Sequence, residues 1–247
     1  MKLRKIAILL LIICILAGLY LAERHYLAST GVHYRDFGIV VPAGYTTHGI
    51  DVSHHQNHIN WKLVNEMRDR GQRISFALIK ATEGTWLEDS RFRRNWREVA
   101  RYPLLRGAYL YFHPNYNGKN QAEFFINRVP LRSGDLPPIV DIEETGRRSS
   151  QQIRNSLKQC LSALEARYGV KPIIYSGVDY YEQYLGDEFN DYPLWAAHYV
   201  RRRAPRIGRN WMIWQHNCRG RVNGIKGAVD FNVINGNLST LKDLCIR

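Results

Sequence analysis

LPPIVDIEE, residues 136–144, is the stretch around which the chain is organised. Two prolines open it, and the β-formers Ile139, Val140 and Ile142 alternate with Asp141 and Glu143. Side chains at i and i+2 of a strand point to the same side, so Asp141 and Glu143 stand side by side, about 6–7 Å apart at the backbone. Two carboxylates on one face of an apolar strand are costly unless solvated, paired or used. Adjacent acids raise each other's pKa values, so one can stay protonated while the other is charged. Glycosidic cleavage needs that combination: an acid for the leaving oxygen and an anion beside the forming cation. Taken alone, a D-x-E reads first as a strand end whose acids meet Arg or Lys, and the context decides.

Outward from this stretch, strands and helices alternate. HGIDVS (48–53) reads as a short strand, and Asn60 caps a helix running to about Arg70, ended by Gly71. ISFALIKAT (74–82) is a near-continuous apolar run, as in a strand buried on both faces. Asp89 or Ser90 caps a helix to about Ala100, RGAYLYFHP (106–114) is the next strand, and 119–128 the next helix. Beyond LPPIVDIEE, Ser149 with Gln152 makes a capping box, Ile153, Leu157, Leu161 and Leu164 recur at helical spacing, and Gly169 closes the helix. KPIIYSG (171–177) is a strand followed by a short helix over 178–186; PLWAAHY (193–199), WMIWQHN (211–217) and GAVDFNVIN (227–235) are three more strands without helices between them. Five β–α units and three strands predict a barrel-like, largely parallel α/β domain whose site lies at the C-terminal strand ends. Polar residues recur there: Asp51, Lys80 with Thr82 and Glu83, His113, Asp141 with Glu143, Tyr175, Trp195 with His198, Gln215 and Asp230.

The 247 residues, 45% of them hydrophobic, suffice for a full domain core. A net charge of +13 favours a polyanionic neighbourhood: nucleic acid, anionic lipid or an acidic wall polymer. No helix-turn-helix, RNP or zinc-finger pattern accompanies it, so no nucleic-acid partner is expected. The densest basic run, Arg201-Arg202-Arg203 with Arg206 and Arg209, reads as a solvated loop, and fifteen Tyr and six Trp suit sugar stacking as well as core packing.

Lys2, Arg4 and Lys5 precede an apolar run over residues 6–22, with no good small-x-small cleavage site before Glu23. Residues 1–22 are expected to be a hydrophobic helix that anchors the chain in a membrane, with positive charge inside, or else a cleaved signal. Residues 23–46, rich in glycine and without period, read as a stalk, and 47–247 as the catalytic domain. Cys14 lies in the apolar run and Cys160 reads as a buried helix residue; Cys218 and Cys245 are available for a bridge in an oxidising compartment. None has zinc-ligand spacing.

Nine segments now stand in order: GIDVSHHQ (49–56), INW (59–61), IKATEG (79–84), GAYLYFHP (107–114), IVDIEE (139–144), IIYSG (173–177), LWAAHY (194–199), IWQ (213–215) and VDFNVING (229–236). Together they resemble a glycoside hydrolase family 25 lysozyme, the Chalaropsis-type muramidases, over roughly residues 48–236. The resemblance implies an irregular TIM-like (β/α)5(β)3 barrel. It implies hydrolysis, with retention, of the β-1,4 bond between N-acetylmuramic acid and N-acetylglucosamine in peptidoglycan glycan strands, without a cofactor. It carries the general acid onto Glu143, and onto Asp141 the carboxylate that assists the substrate acetamide or acts as nucleophile. Asp51 and Asp230 match flanking residues placed to bind sugar hydroxyls and tune the central pair. A monomeric catalytic domain in the bacterial cell envelope is expected, outside the cytoplasm and held by the inner membrane, or secreted if the N-terminal segment is removed.

The spacing of the acids agrees with these roles. Carboxyls about 5–5.5 Å apart favour direct attack, and about 6.5–9.5 Å leaves room for water or an acetamide; an i, i+2 pair starts in the wider range. Tyr111, Tyr175, Trp195 and Gln215 are the further substrate-binding candidates, each also readable as packing at the barrel mouth. His54, His55 and His58 make an H-H-x-x-H spacing, but no third-ligand pattern or HExxH accompanies it, so they read as loop histidines near the cleft and no metal is expected. The competing classes are a catalytically weak peptidoglycan-binding protein on the same barrel, a metal-dependent amidase, and a sheath for anionic polymers.

Overall fold

The protein is described by a computed structural model covering residues 11–22, 31–199, 201 and 203–247. Eight strands close a barrel: β3 (His48–Val52), β4 (Ile74–Glu83), β6 (Leu105–Tyr111), β7 (Ile139–Asp141), β8 (Ile173–Gly177), β9 (Leu194–Ala197), β10 (Ile213–Gly220) and β11 (Val229–Ile234). Two short strands, β1 (Val32–Tyr34) and β2 (Ile39–Val41), form a separate hairpin, and β5 (Leu87–Glu88) folds back on the end of β4. The barrel order is β3-β4-β6-β7-β8-β9-β10-β11, and β11 returns to β3. Every neighbouring pair is parallel except the two that β11 makes. All eight barrel strands coincide with the runs expected from sequence.

The period of two along each strand builds the interior in layers. Phe76, Leu78, Tyr109, Ile139, Ile173, Trp195, Ile213 and Ile234 fill the lower barrel. Two residues further along their strands come Lys80 after Leu78, Tyr111 after Tyr109, Asp141 after Ile139, Tyr175 after Ile173 and Gln215 after Ile213, all facing one cleft. Gly49 makes this filling possible, because a Cβ there would lie 2.3 Å from the Phe76 ring. The opposite faces of the strands pack under the helices in a second, larger apolar core.

Helix ends follow their capping chemistry. Asn60 accepts from Leu63 N and starts the helix Trp61–Glu66. That helix stops short of the expected Arg70: the chain turns extended at Met67, ψ 132°, and beyond it the Asp69 carboxylate accepts the backbone N–H of Asp36 and of Phe37. Asp89 does not cap the helix Phe92–Val99 as its N-cap; it accepts from Arg91 N and from both the backbone and the ring of His54. Ser149 and Gln152 form the expected box at the head of Ser150–Tyr168, and Gly169 ends it in the left-handed region at φ 69°. Over 178–189 the chain runs through α, π and 3-10 turns in succession.

The reading of 23–46 as stalk differs from what its described part does. Residues 31–46 include the β1–β2 hairpin, and Tyr34, Phe37, Ile39 and Val41 are buried in the outer core, with Phe37 5.1 Å from the Phe231 ring. Residues 23–30 and 1–10 lie outside the described residues. Residues 11–22 are helical, and among the described residues no helix is long and apolar enough to cross a membrane. Cys218 and Cys245 are both free thiols, as are Cys14 and the buried Cys160.

Candidate active site

Strand register sets the site. Asp141 pairs with Tyr111 on one side and Tyr175 on the other, Tyr175 pairs with Trp195, and Asp230 pairs with Asp51. Because β11 alone runs downward, its second residue, Asp230, reaches the rim where the parallel strands end. The result is one cleft of about 280 Å³. Asp51, Asp141, Glu143, Asp230, Tyr111, Tyr175, Trp195 and Gln215 all line it, so the structure brings together every residue singled out from sequence as a catalytic or sugar-binding candidate.

The wall is a hydrogen-bonded lattice. Oδ2 of Asp51 accepts from Gln215 Nε2 at 2.9 Å and from Asn232 Nδ2 at 2.7 Å. Trp195 Nε1 donates to Asn232 Oδ1 at 2.8 Å, and the hydroxyls of Tyr175 and Tyr199 both donate to Gln215 Oε1, at 2.9 and 2.5 Å. Aromatic walls and amides thereby fix one carboxylate. Asp141 differs: it is 6% exposed and its buried Oδ1 has no partner. Glu143 follows two residues later and is exposed within the cleft.

Burial and mutual repulsion hold protons in this site. Burial, with the nearby Asp230, pushes Asp51 up to about 8 against the pull of its two amide donors. Burial and then Glu143 raise Asp141 well above the usual carboxylate range, and burial raises Asp230 to about 6. Glu143 is raised by partial desolvation at the cleft wall, with Asp230 adding to it and the nearby Tyr175 hydroxyl opposing it. One cation moderates the set: Lys80, 2.7 Å from Glu83 and 4.8 Å from the Tyr111 ring centroid, lowers both Asp141 and Glu143. Four close acids with one ammonium cannot all ionise, so a proton donor and an anion coexist near neutrality.

The histidines take other places. The His54 ring is held by Asp89 at 2.9 Å and stacks on His55, 4.1 Å between centroids, and only His55 of the two lines the cleft. Among the described residues no group of three His, Cys, Asp or Glu side chains is arranged to hold a metal. The two ring nitrogens of His198 face Arg201 Nε, at 2.8 Å, and the backbone N of Arg206, at 3.2 Å, and His198 does not line the cleft. Asn232, Tyr109 and Tyr199 belong to the site and were not singled out from sequence. Asn232 carried a usable signal, lying two residues after Asp230 on the same strand face; Tyr199 sits past the end of β9 and carried none.

Paired carboxylates in an aromatic-walled cleft at the rim of a (β/α)5(β)3 barrel define a glycoside hydrolase. The signature of the glycosyl hydrolases family 25 matches residues 50–225. An uncharacterised Escherichia coli K12 protein called YegX is 48% identical over 208 residues, which cover 84% of this chain and 76% of that one. Lysozyme M1 of Streptomyces globisporus is 34% identical over 210 residues, covering 78% of this chain and 69% of that one. Among solved structures, a family 25 glycosyl hydrolase from Bacillus anthracis superimposes with a TM-score of 0.75 at 30% identity, over 81% of this chain and 94% of that one. The chain belongs to glycosyl hydrolases family 25.

Proposed function

We propose that the protein is an N-acetylmuramidase that cleaves the β-1,4 bond between N-acetylmuramic acid and N-acetylglucosamine in peptidoglycan, with retention. The lysozymes among its relatives support the substrate class. The observation that carries the chemistry is the unlike state of two neighbouring acids: Glu143 exposed in the cleft with a raised pKa, and Asp141 buried with an unpartnered oxygen.

Glu143 is the general acid. It is one methylene longer than Asp141, and it delivers its proton to the glycosidic oxygen as the bond to the anomeric carbon breaks. Asp141 is the partner of the 2-acetamido group. The acetamide N–H fills the vacant acceptor Oδ1; that bond, with Lys80 nearby, favours the ionised form of Asp141 once substrate is bound, and its charge then assists attack of the acetamide oxygen on the anomeric carbon. Water then opens the resulting oxazolinium ring and returns a proton to Glu143, so configuration is retained. Asp51 and Asp230 bind sugar hydroxyls and keep the central pair's affinity for protons high.

The test is digestion of peptidoglycan by the purified protein in the presence of EDTA, with borohydride-reduced products read by mass spectrometry. Reduced muramic acid ends are expected. Reduced glucosamine ends, freed stem peptides or abolition by EDTA would each refute the assignment. The substrate lies outside the cytoplasm, so the proposal places the catalytic domain there, tethered through residues 1–22 or released by their removal. The N-terminus of the mature protein distinguishes the two: a start near Met1 in membranes supports the tether, and a start near Glu23 the release.

A further inference from the structure

Tryptophan is exposed in only one place among the described residues. Trp61, Trp96, Trp195 and Trp214 are buried and Trp211 is half-buried, whereas Trp86 is 49% exposed. It does not stand alone. Its ring lies 4.9 Å from His113 and 4.7 Å from Tyr116, itself 48% exposed. His113 is in turn 5.1 Å from the ring of Tyr111, a wall of the catalytic cleft. An aromatic surface therefore continues from the cleft over the rim.

This surface is built rather than accidental. His113 is clamped between two carboxylates, Glu83 at 3.2 Å and Glu144, which follows the general acid directly in sequence. The backbone under His113 and Tyr116 is held by Gln121, fully buried, which accepts from His113 N and donates to the carbonyls of His113 and Tyr116. Gly84, at φ 54°, has the Trp86 ring folded over it; a Cβ there would lie 2.0 Å from that ring. The rings are thus ordered before any ligand arrives, which lowers the entropy lost on binding.

We propose that Trp86 and Tyr116, seated on His113, form a stacking platform for a pyranose ring of the glycan strand beyond the two sugars that flank the scissile bond. The inference rests on the muramidase reading and adds a subsite to it. Three features select this occupant. Two rings are far too small a patch for a stable protein interface, which needs roughly 1,000 Å². The C–H face of a sugar matches an aromatic face of this size, and the surrounding charges of Glu83 and Glu144 suit its hydroxyls. The cleft, at about 280 Å³, is near the lower bound of sites for small molecules, about 300 Å³, so a polymer has to leave it over the rim.

The experiment compares wild type, Trp86→Ala and Trp86→Phe on long peptide-free glycan strands and on the shortest muramyl oligosaccharide that wild type cuts. The ratio of kcat/KM for long to short substrate is expected to fall about tenfold in Trp86→Ala, chiefly through KM, and to recover in Trp86→Phe. A ratio equal to wild type, including equal losses on both substrates from misfolding or packing damage, overturns the platform. If wild type cuts neither substrate, the muramidase reading fails instead. The platform is then judged by tryptophan fluorescence with the same long strands. Quenching in wild type but not in Trp86→Ala upholds it, and identical responses overturn it.

Discussion

Glu143 and Asp141 lie two residues apart and face one cleft, yet their surroundings ask different things of them. Replacing Glu143 by Gln removes the proton donor and keeps the shape; hydrolysis is expected to drop by roughly a hundred- to ten-thousand-fold while sedimentation with insoluble peptidoglycan is retained. Asp230→Asn tests the electrostatics. Asp230 is one of the causes that raise Glu143. Without its charge the Glu143 carboxyl loses its proton at lower pH, so the alkaline limb of the kcat/KM profile should move toward acid; a limb that stays in place or moves upward refutes the coupling. The acids were legible in sequence because alternation on an apolar strand leaves few other uses for them. Tyr199 was not, and neither was the tie that Gln215 and Asn232 make to Asp51 across the barrel, at 2.9 and 2.7 Å, because that is set by register between strands far apart in the chain.

Among the elements, barrel strands covered on both faces announce themselves as apolar runs whether they run parallel, as seven do, or antiparallel, as β11 does, which is why all eight could be read directly. The β1–β2 hairpin escaped for the converse reason. Its strands have three residues each, and what fixes it is the remote carboxylate of Asp69. Helix packing gives sharper tests. Gly118 begins the helix Gly118–Ile126 where it meets Ser150–Tyr168, and a Cβ there would lie 1.8 Å from the Ser156 carbonyl oxygen. Gly118→Ala should therefore lower the urea-unfolding free energy by about 1–3 kcal/mol, although alanine favours helix elsewhere. Ser149→Ala loses the capping box at the head of Ser150–Tyr168 and should cost about 1 kcal/mol in the same measurement, with activity retained.

For the molecule as a whole, two buried sets of titratable groups oppose each other. Asp51, Asp141 and Asp230 bind protons more tightly folded than unfolded. The stability they contribute is full below about pH 4 and is lost as pH rises through their folded values, about 8 for Asp51. His48 and His216 are held neutral by burial, with values pushed down to about 4 and about 3. Their contribution is present above about pH 6.5 and is lost as pH falls through those values. Thermal unfolding between pH 7 and 9 should thus show a falling midpoint, and Asp51→Asn should flatten that fall; a wild-type slope in the variant would refute the assignment.

The downward course of β11 also fixes how the domain can be held. The barrel is entered at His48, paired with Val233 near the end of β11, so the chain comes in and goes out on the face opposite the cleft. The last residues stay there: Ile246 exchanges backbone hydrogen bonds with Gly134 and Asp135, just ahead of β7. Coupled to a bead or surface by its C-terminal end, the protein would present its working face outward, toward an insoluble substrate.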